Sequence, residues 1–492
     1  MMIHDMIHSL IVFEINHGLI KPCDYNYINN QIHSLLDLIP CEDSKTRNIT
    51  YPSEALDCIL DYAYENGIIT DNSIQTRDIF DSKIMDIFVS KPSEVVNEFN
   101  YRYNSSPKDA TDWFYNYSQS SNYIRMDRIK KNIMYEYSSK YGKIGITINL
   151  SRPEKDPKRI AEELKIQSTS YPKCLLCVEN EGFEGDFKRD ARNQHRIIPI
   201  NIDKQEYFFQ YSPYIYYNEH TIILNKHHIP MVVDKSTVSN LLTLVDYFDG
   251  YFFGSNSSLP RVGGSILSHD HYQGGKHTFP IENAKVLTSY QHGDCIIETL
   301  YWPLTVIRIK GENRKCVETL VNKIFTSFVT YENSELGIIP FSSNEPHNTI
   351  TPIVRKKNNV YEFDVVLRNN RVDDKYPLGI FHNHEEIWNI KKENIGLIEV
   401  MGLAILPGRL LSELKEVKKF YLKEPFAEDI IKKHQNIVDG LFDKKDSEID
   451  RNINDLVGKI FIEGLEHCGV FKQTENGQKA LNEFIKGCLF HD

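Results

Sequence analysis

The hydrophobic period of this 492-residue chain changes near Tyr141, and that change constrains the fold more than any other feature. Before it, apolar residues recur at helical spacing, as in Ile32, Leu35, Leu36 and Ile39, or Ala55, Leu56, Ile59, Leu60 and Ala63. Two of these segments open alike, with Pro52–Ser53–Glu54 and Pro92–Ser93–Glu94. Proline suits the first helical turn, and a carboxylate there faces the positive end of the helix dipole. After Tyr141, Ile144, Ile146 and Ile148 alternate with smaller or polar residues, which predicts a strand. Residues 207–223 are rich in aromatic and β-branched side chains, and 305–309 and 361–367 alternate like strands. Residues 239–248 and 316–329 return to helical spacing, and a Lys/Glu-rich helical tail follows Pro407–Gly408. Strands and helices intermingle without regular β–α units, so an α+β fold is expected.

Charge and length narrow the chemistry. Lys and Arg number 57 against 68 Asp and Glu, a net charge of −11 that opposes a polyanion or an anionic membrane as the main partner. No run approaches the roughly 18 apolar residues of a membrane span. The apolar stretch Leu10–Ile11–Val12–Phe13 is interrupted on either side by Asp5 and Glu14, so a helix is expected there instead of a signal peptide. The cysteines number nine, seven of them scattered singly, which favours a reducing cytoplasm over a disulfide framework. Neither a Walker loop nor a Gly-x-Gly-x-x-Gly fingerprint occurs, which argues against kinase and dehydrogenase chemistry.

The sharpest chemical feature is His269–Asp270–His271–Tyr272–Gln273, set between Gly263–Gly264 and Gly274–Gly275. Read as a strand over 265–273, it puts His269, His271 and Gln273 on one face. A neutral imidazole is nucleophilic near pH 7 without a helper base. The alternative is an ordinary surface or structural pair. Cys174–Leu175–Leu176–Cys177 is spaced to chelate zinc, with His220 and His269 as candidates to complete a Cys₂His₂ set; a redox pair or two inert thiols are the other readings. Basic residues gather as Arg125, Arg128, Lys130 and Lys131, then Arg152, Lys155, Lys158 and Arg159, then Lys188, Arg189, Arg192 and Arg196. Each group either neutralises a diphosphate or forms a solvated face. His382–Asn383–His384, His227–His228, His277 and His347 read as structural.

Longer phrases add a resemblance. Asn122–Tyr123–Ile124–Arg125–Met126–Asp127–Arg128–Ile129, Gln210–Tyr211–Ser212–Pro213–Tyr214, Tyr217–Asn218–Glu219–His220 and Gly396–Leu397–Ile398–Glu399–Val400–Met401–Gly402, in that order around the His-x-His-x-Gln motif, resemble the galactose-1-phosphate uridylyltransferase family in its longer, class II form. The resemblance implies the histidine-triad superfamily: antiparallel sheet halves with helices, and helical extensions at both ends. On that reading residues 1–140 are a helical extension, 141–300 the half carrying the motif, 301–411 the second half and 412–492 a helical tail. It implies a ping-pong exchange of UMP between UDP-glucose and galactose 1-phosphate, with His271 as the nucleophile, Gln273 steadying the phosphoryl oxygens and His269 in support. It further implies a structural zinc on Cys174, Cys177, His220 and His269, and no organic cofactor. Arg152 and Lys155 fall near the nucleotide, Asn256 at a phosphate and Glu399 at the sugar hydroxyls. A cytoplasmic homodimer without nucleic-acid or membrane partners completes the expectation. The competing readings are a phosphorylase or hydrolase using the same histidine, and a non-catalytic, zinc-braced nucleotide-binding protein.

Overall fold

Helix starts written into the sequence appear where proline and glutamate coincide. In the computed structural model, which describes residues 2–41, 43–151, 171–186, 188–264, 266–442 and 446–490, helices span Pro52–Glu65 and Pro92–Ser105. The Glu54 carboxylate accepts from the Thr50 and Tyr51 amides at 3.0 and 3.3 Å, and Glu94 from the Lys91 amide at 3.3 Å. These amides lack partners inside the helix, so the carboxylate both satisfies a donor and meets the dipole. The Pro92–Ser105 helix ends at Ser106, whose hydroxyl accepts from Asp109 N at 3.3 Å and starts the next helix, Pro107–Ser120.

Strands in chain order are β1 (Ile133–Ser139), β2 (Gly142–Asn149), β3 (Ile198–Ile202), β4 (Gln205–Tyr211), β5 (Thr221–Asn225), β6 (Phe252–Gly254), β7 (His271–Gly275), β8 (Lys285–His292), β9 (Cys295–Tyr301) and β10 (Val306–Gly311). Then come β11 (Phe341–Ser342), β12 (Glu345–Pro346), β13 (Asn348–Lys357), β14 (Val360–Asn369) and β15 (Leu403–Pro407). The chain divides into two compact units. The first comprises Met1–Lys131, Pro153–Ile215 and Glu219–His228; the second comprises Asn132–Arg152, Tyr216–Asn218 and Ile229–Asp492.

In the first unit, helices from Met2 to Ile129 accompany the antiparallel strands β3, β4 and β5. Its core is aromatic. Phe99 and Phe114 come from the two helices joined at Ser106, and both meet Phe209 of β4, with Phe114–Phe209 ring centroids 5.3 Å apart. All three are fully buried, so each contributes on the order of 2–3 kcal/mol of apolar transfer.

In the second unit, strands run in the order β7-β6-β13-β14-β10-β9-β8, each neighbour antiparallel. Separately, β1 and β2 form an antiparallel hairpin that β15 joins in parallel. Odd and even residues of β7 serve opposite faces. Tyr272 points to the face where the Lys235–Tyr247 helix packs, its hydroxyl accepting from Asn240 Nδ2 at 2.9 Å. The Arg314–Val329 helix adds Val317, Leu320, Val321, Ile324 and Phe328, all buried. On the other face, Asp364 of β14 accepts from Arg308 at 2.6 and 2.9 Å and from Arg355 at 2.7 Å. Helices between Arg409 and Phe490 complete an α+β fold.

Two local expectations are corrected. The first strand starts at Ile133, ahead of Tyr141, because residues 133–139 pair residue for residue with β2 across a tight turn. The motif strand starts at His271 and runs through Gly274 and Gly275, while 266–270 lie outside it and Ser265 is outside the described residues. Glycine is what permits the extension: a Cβ on Gly274 would sit 2.4 Å from the Phe253 ring of β6. Among the described residues no helix is long and apolar enough to cross a membrane.

Candidate active site

His271 opens β7 and is 5% exposed. Its Nδ1 lies 2.8 Å from the His269 carbonyl oxygen. A carbonyl can only accept, so Nδ1 carries the proton and Nε2 keeps its lone pair. Burial pulls the imidazole pKa down to about 4; the carbonyl bond opposes this and the nearby His269 lowers it further. The ring is therefore neutral near pH 7. Gln273, two residues on, shares the His271 face, and the Tyr217 hydroxyl donates to the carbonyl of the following Gly274 at 3.1 Å.

The expected sugar and phosphate residues meet beside this strand, within the second unit. Asn256, 6% exposed, follows β6, and its Oδ1 accepts from Leu397 N at 2.9 Å. Leu397 opens a short helical turn, Leu397–Val400, whose Glu399 carboxylate accepts from Gly396 N at 2.9 Å and pairs with Lys391 at 2.6 Å. Gly254 pairs with Gln273, and a Cβ on Gly254 would lie 2.7 Å from Leu397 Cδ1. The turn bearing Glu399 thus roofs the sheet face to which His271 and Gln273 belong. Lys391 was not singled out in the sequence; a lysine beside Lys392 and Glu393 carries no periodic signal of its burial. Arg152, Lys155, Lys158 and Arg159 lie outside the described residues.

The cysteine pair forms a knuckle. Cys174 and Cys177 Sγ are 3.6 Å apart, Cys177 N donates to Cys174 O at 3.2 Å, and Asn180 Nδ2 donates to both cysteine carbonyls at 2.8 Å. His228 Nδ1 lies 3.1 Å from Cys177 Sγ. The ligand atoms of Cys174, Cys177 and His228, all in the first unit, fall within 4.8 Å of one another, whereas His269 belongs to the second unit. His228 thus stands where His220 was expected. The two histidines flank β5: His220 precedes it, its Nδ1 3.1 Å from the Tyr214 carbonyl, while His228 lies three residues past its end. A five-residue strand spans roughly 16 Å at about 3.3 Å per residue, so both ends cannot serve one site. Tetrahedral zinc places thiolate pairs about 3.8 Å apart and thiolate–imidazole pairs about 3.5 Å apart, close to the spacings here. The residues fit a structural zinc.

The basic groups seen in the sequence are largely consumed internally. Arg125 pairs with Asp81 at 2.7 Å, and Arg128 donates to Asp78 at 2.8 Å. Arg189 pairs with Asp186, Arg192 with Asp190 at 3.3 Å, and Arg196 donates to the Ser90, Asn193 and His195 carbonyls. These arginines are neither a diphosphate cradle nor a solvated face; they tie helices and loops of the first unit together. His382 is engaged at both ring nitrogens, by the Asn383 carbonyl and Asn394 Oδ1, each at 3.0 Å. Ligand atoms of His384, Glu386 and His467 also cluster within 4.8 Å. The two imidazoles stack at 22°, however, so their in-plane lone pairs run side by side instead of converging on one ion.

Comparison with known proteins places this arrangement. The chain matches the family model described as galactose-1-phosphate uridyl transferase, N-terminal domain, over residues 19–230, and the corresponding C-terminal domain over 244–438. It is 47% identical over 495 residues to the galactose-1-phosphate uridylyltransferase of Clostridium acetobutylicum, covering 98% of this chain and 99% of the relative. To that of Clostridium perfringens (strain 13) it is 46% identical over 490 residues, covering 97% and 98%. To that of Bacillus subtilis it is 41% identical over 500 residues, covering 99% and 98%. The chain belongs to the galactose-1-phosphate uridylyltransferase family and is a transferase.

Proposed function

We propose that this chain exchanges UMP between UDP-glucose and galactose 1-phosphate, with His271 Nε2 carrying the uridylyl group between the two half-reactions. The observation that supports this reading is the tautomer: the His269 carbonyl holds the proton on Nδ1 and leaves the opposite nitrogen as a nucleophile. In the first half-reaction Nε2 bonds to the α-phosphorus of UDP-glucose. The bond from that phosphorus to the bridging oxygen breaks, and its electron pair leaves with glucose 1-phosphate. The ring gains a positive charge that the Nδ1–H···O=C bond disperses, so no proton has to move. Galactose 1-phosphate then attacks the same phosphorus and regenerates the imidazole. Burial of His271 excludes the water that would otherwise hydrolyse the intermediate.

Gln273, on the same face, donates to the phosphoryl oxygens, where charge develops during transfer. Asn256 and Glu399 contribute the phosphate and hydroxyl contacts of the hexose subsite. Cys174, Cys177 and His228 would hold zinc, whose contribution would be to brace the cysteine knuckle.

The test is incubation with UDP-glucose alone. Expected are UMP attached to His271, found by peptide mapping, and one equivalent of glucose 1-phosphate released; His271→Ala gives neither. Unmodified wild-type protein with no sugar phosphate above background would overturn the reading. Chasing the labelled protein with galactose 1-phosphate, inorganic phosphate or water separates exchange from phosphorolysis and hydrolysis.

A further inference from the structure

Arg368 of β14 is 1% exposed, and among the described residues no carboxylate lies within ion-pair distance of its guanidinium. One terminal nitrogen donates to the Ile395 carbonyl at 3.1 Å and the other reaches Thr351 Oγ1 at 3.4 Å, while Nε has no partner. Burying an arginine so poorly compensated is unfavourable for folding alone. That points to an anionic ligand. Glu399, a carboxylate whose charge acts on Arg368, is already paired with the buried Lys391. Two buried cations therefore share one buried carboxylate beneath the turn at Gly396.

Sheet register relates this charge to the proposed nucleophile. Gln273 pairs with Gly254, Gly254 with Ile353, and Ile353 with Asp364. Cross-strand partners share a face, so His271, Gln273, Thr351 and Arg368 all belong to one face of the sheet. β7 and β13 are each antiparallel to β6 and so run in the same direction. His271 and Thr351 each stand two residues before the paired positions, hence level with one another. Two strand spacings separate them, about 10 Å. Asn256, continuing from β6, lies between.

We propose that Arg368 is a positioning residue whose uncompensated charge holds the sugar-linked phosphate of either hexose ester at the Asn256–Gly396 turn. That phosphate gains one negative charge when its bridging bond to the uridylyl phosphorus breaks. A unit charge about 10 Å away, at the effective dielectric of a protein site, changes that step roughly ten- to twentyfold. The inference rests on the exchange reaction proposed above.

The test measures glucose 1-phosphate release from UDP-glucose in a single turnover, together with the KM for galactose 1-phosphate, in wild type, Arg368→Met, Arg368→Gln and Arg368→Lys. Expected are a ten- to twentyfold slower release and a raised KM in both neutral variants, with Arg368→Lys retaining most of the wild-type values. Arg368→Gln keeps a polar but uncharged side chain, and it serves if Arg368→Met does not fold. Neutral variants with wild-type kinetics would overturn the assignment. So would equal losses in Arg368→Lys and Arg368→Gln that track a lowered melting temperature, which would make the residue purely structural. Absence of any release from wild type would instead bring down the exchange reaction, and this inference with it.

Discussion

Replacing Asp364 by Asn removes a fully buried carboxylate from the His271 face of the sheet, and the size of the effect follows from its partners. Burial pushes the Asp364 carboxyl upward, but the charges of Arg308 and Arg355 and their hydrogen bonds outweigh it and hold the pKa at about 2, against 3.8 in the unfolded chain. That difference, at about 1.4 kcal/mol per tenfold, makes the ionised form worth about 2 to 3 kcal/mol of folding stability. Because the folded value is depressed, this stability is fully present above about pH 4 and is lost as pH falls toward 2. In Asp364→Asn, the two arginines, 2% and 3% exposed, keep the half-buried Glu362 and Glu298 and the buried side chain of Glu282 nearby. Removing one partner of a buried ion pair costs about 3 to 5 kcal/mol. Urea unfolding followed by intrinsic fluorescence should therefore show a loss of that size at pH 7.5. The gap to wild type should narrow by about 1 kcal/mol on acidification to pH 3, where the native aspartate itself is losing its advantage. A loss below about 1 kcal/mol at pH 7.5, or a gap that does not change with pH, would refute this reasoning.

Two further predictions concern the metal knuckle and the first unit. His228→Ala should purify with much less than one zinc per chain by elemental analysis, whereas His220→Ala should retain the wild-type content; the reverse pattern would restore His220 as the ligand. Glu14 is fully buried, neither carboxylate oxygen has a hydrogen-bond partner, and burial raises its pKa well above 4.5. Its cost to stability is absent below the unfolded value and grows as pH rises, so Glu14→Gln should stabilise the chain by at least about 1 kcal/mol at pH 8 and hardly at all at pH 4. A gain of the same size at both pH values would contradict it.

The legible features were local ones. The Pro-Ser-Glu helix starts, the alternation through Ile144, Ile146 and Ile148, and the short chelating spacing of Cys174 and Cys177 each operate within one turn or one strand, where neighbouring residues determine the geometry. The motif itself was legible for the same reason, although its strand was displaced. Residues 266–270 look extended in composition, but Gly274 and Gly275 pair with β6 because Phe253 leaves no room for a Cβ. That is a property of the neighbouring strand.

What the amino-acid order determined by itself was the α+β character, the shared strand face of His271 and Gln273 and the cysteine knuckle, because periodicity and close spacing encode them directly. What only the tertiary structure decided was the partnership of distant residues. His228, and not His220, stands beside the cysteine pair because β5 carries the two histidines to opposite ends of a strand. The arginines near residues 125 and 190 are spent on Asp78, Asp81, Asp186 and Asp190, whereas Arg368, with no cluster around it in the sequence, is left with an unbalanced charge. Charges act through space and burial, neither of which follows from adjacency along the chain, so their meaning emerged only once strands far apart in sequence lay side by side.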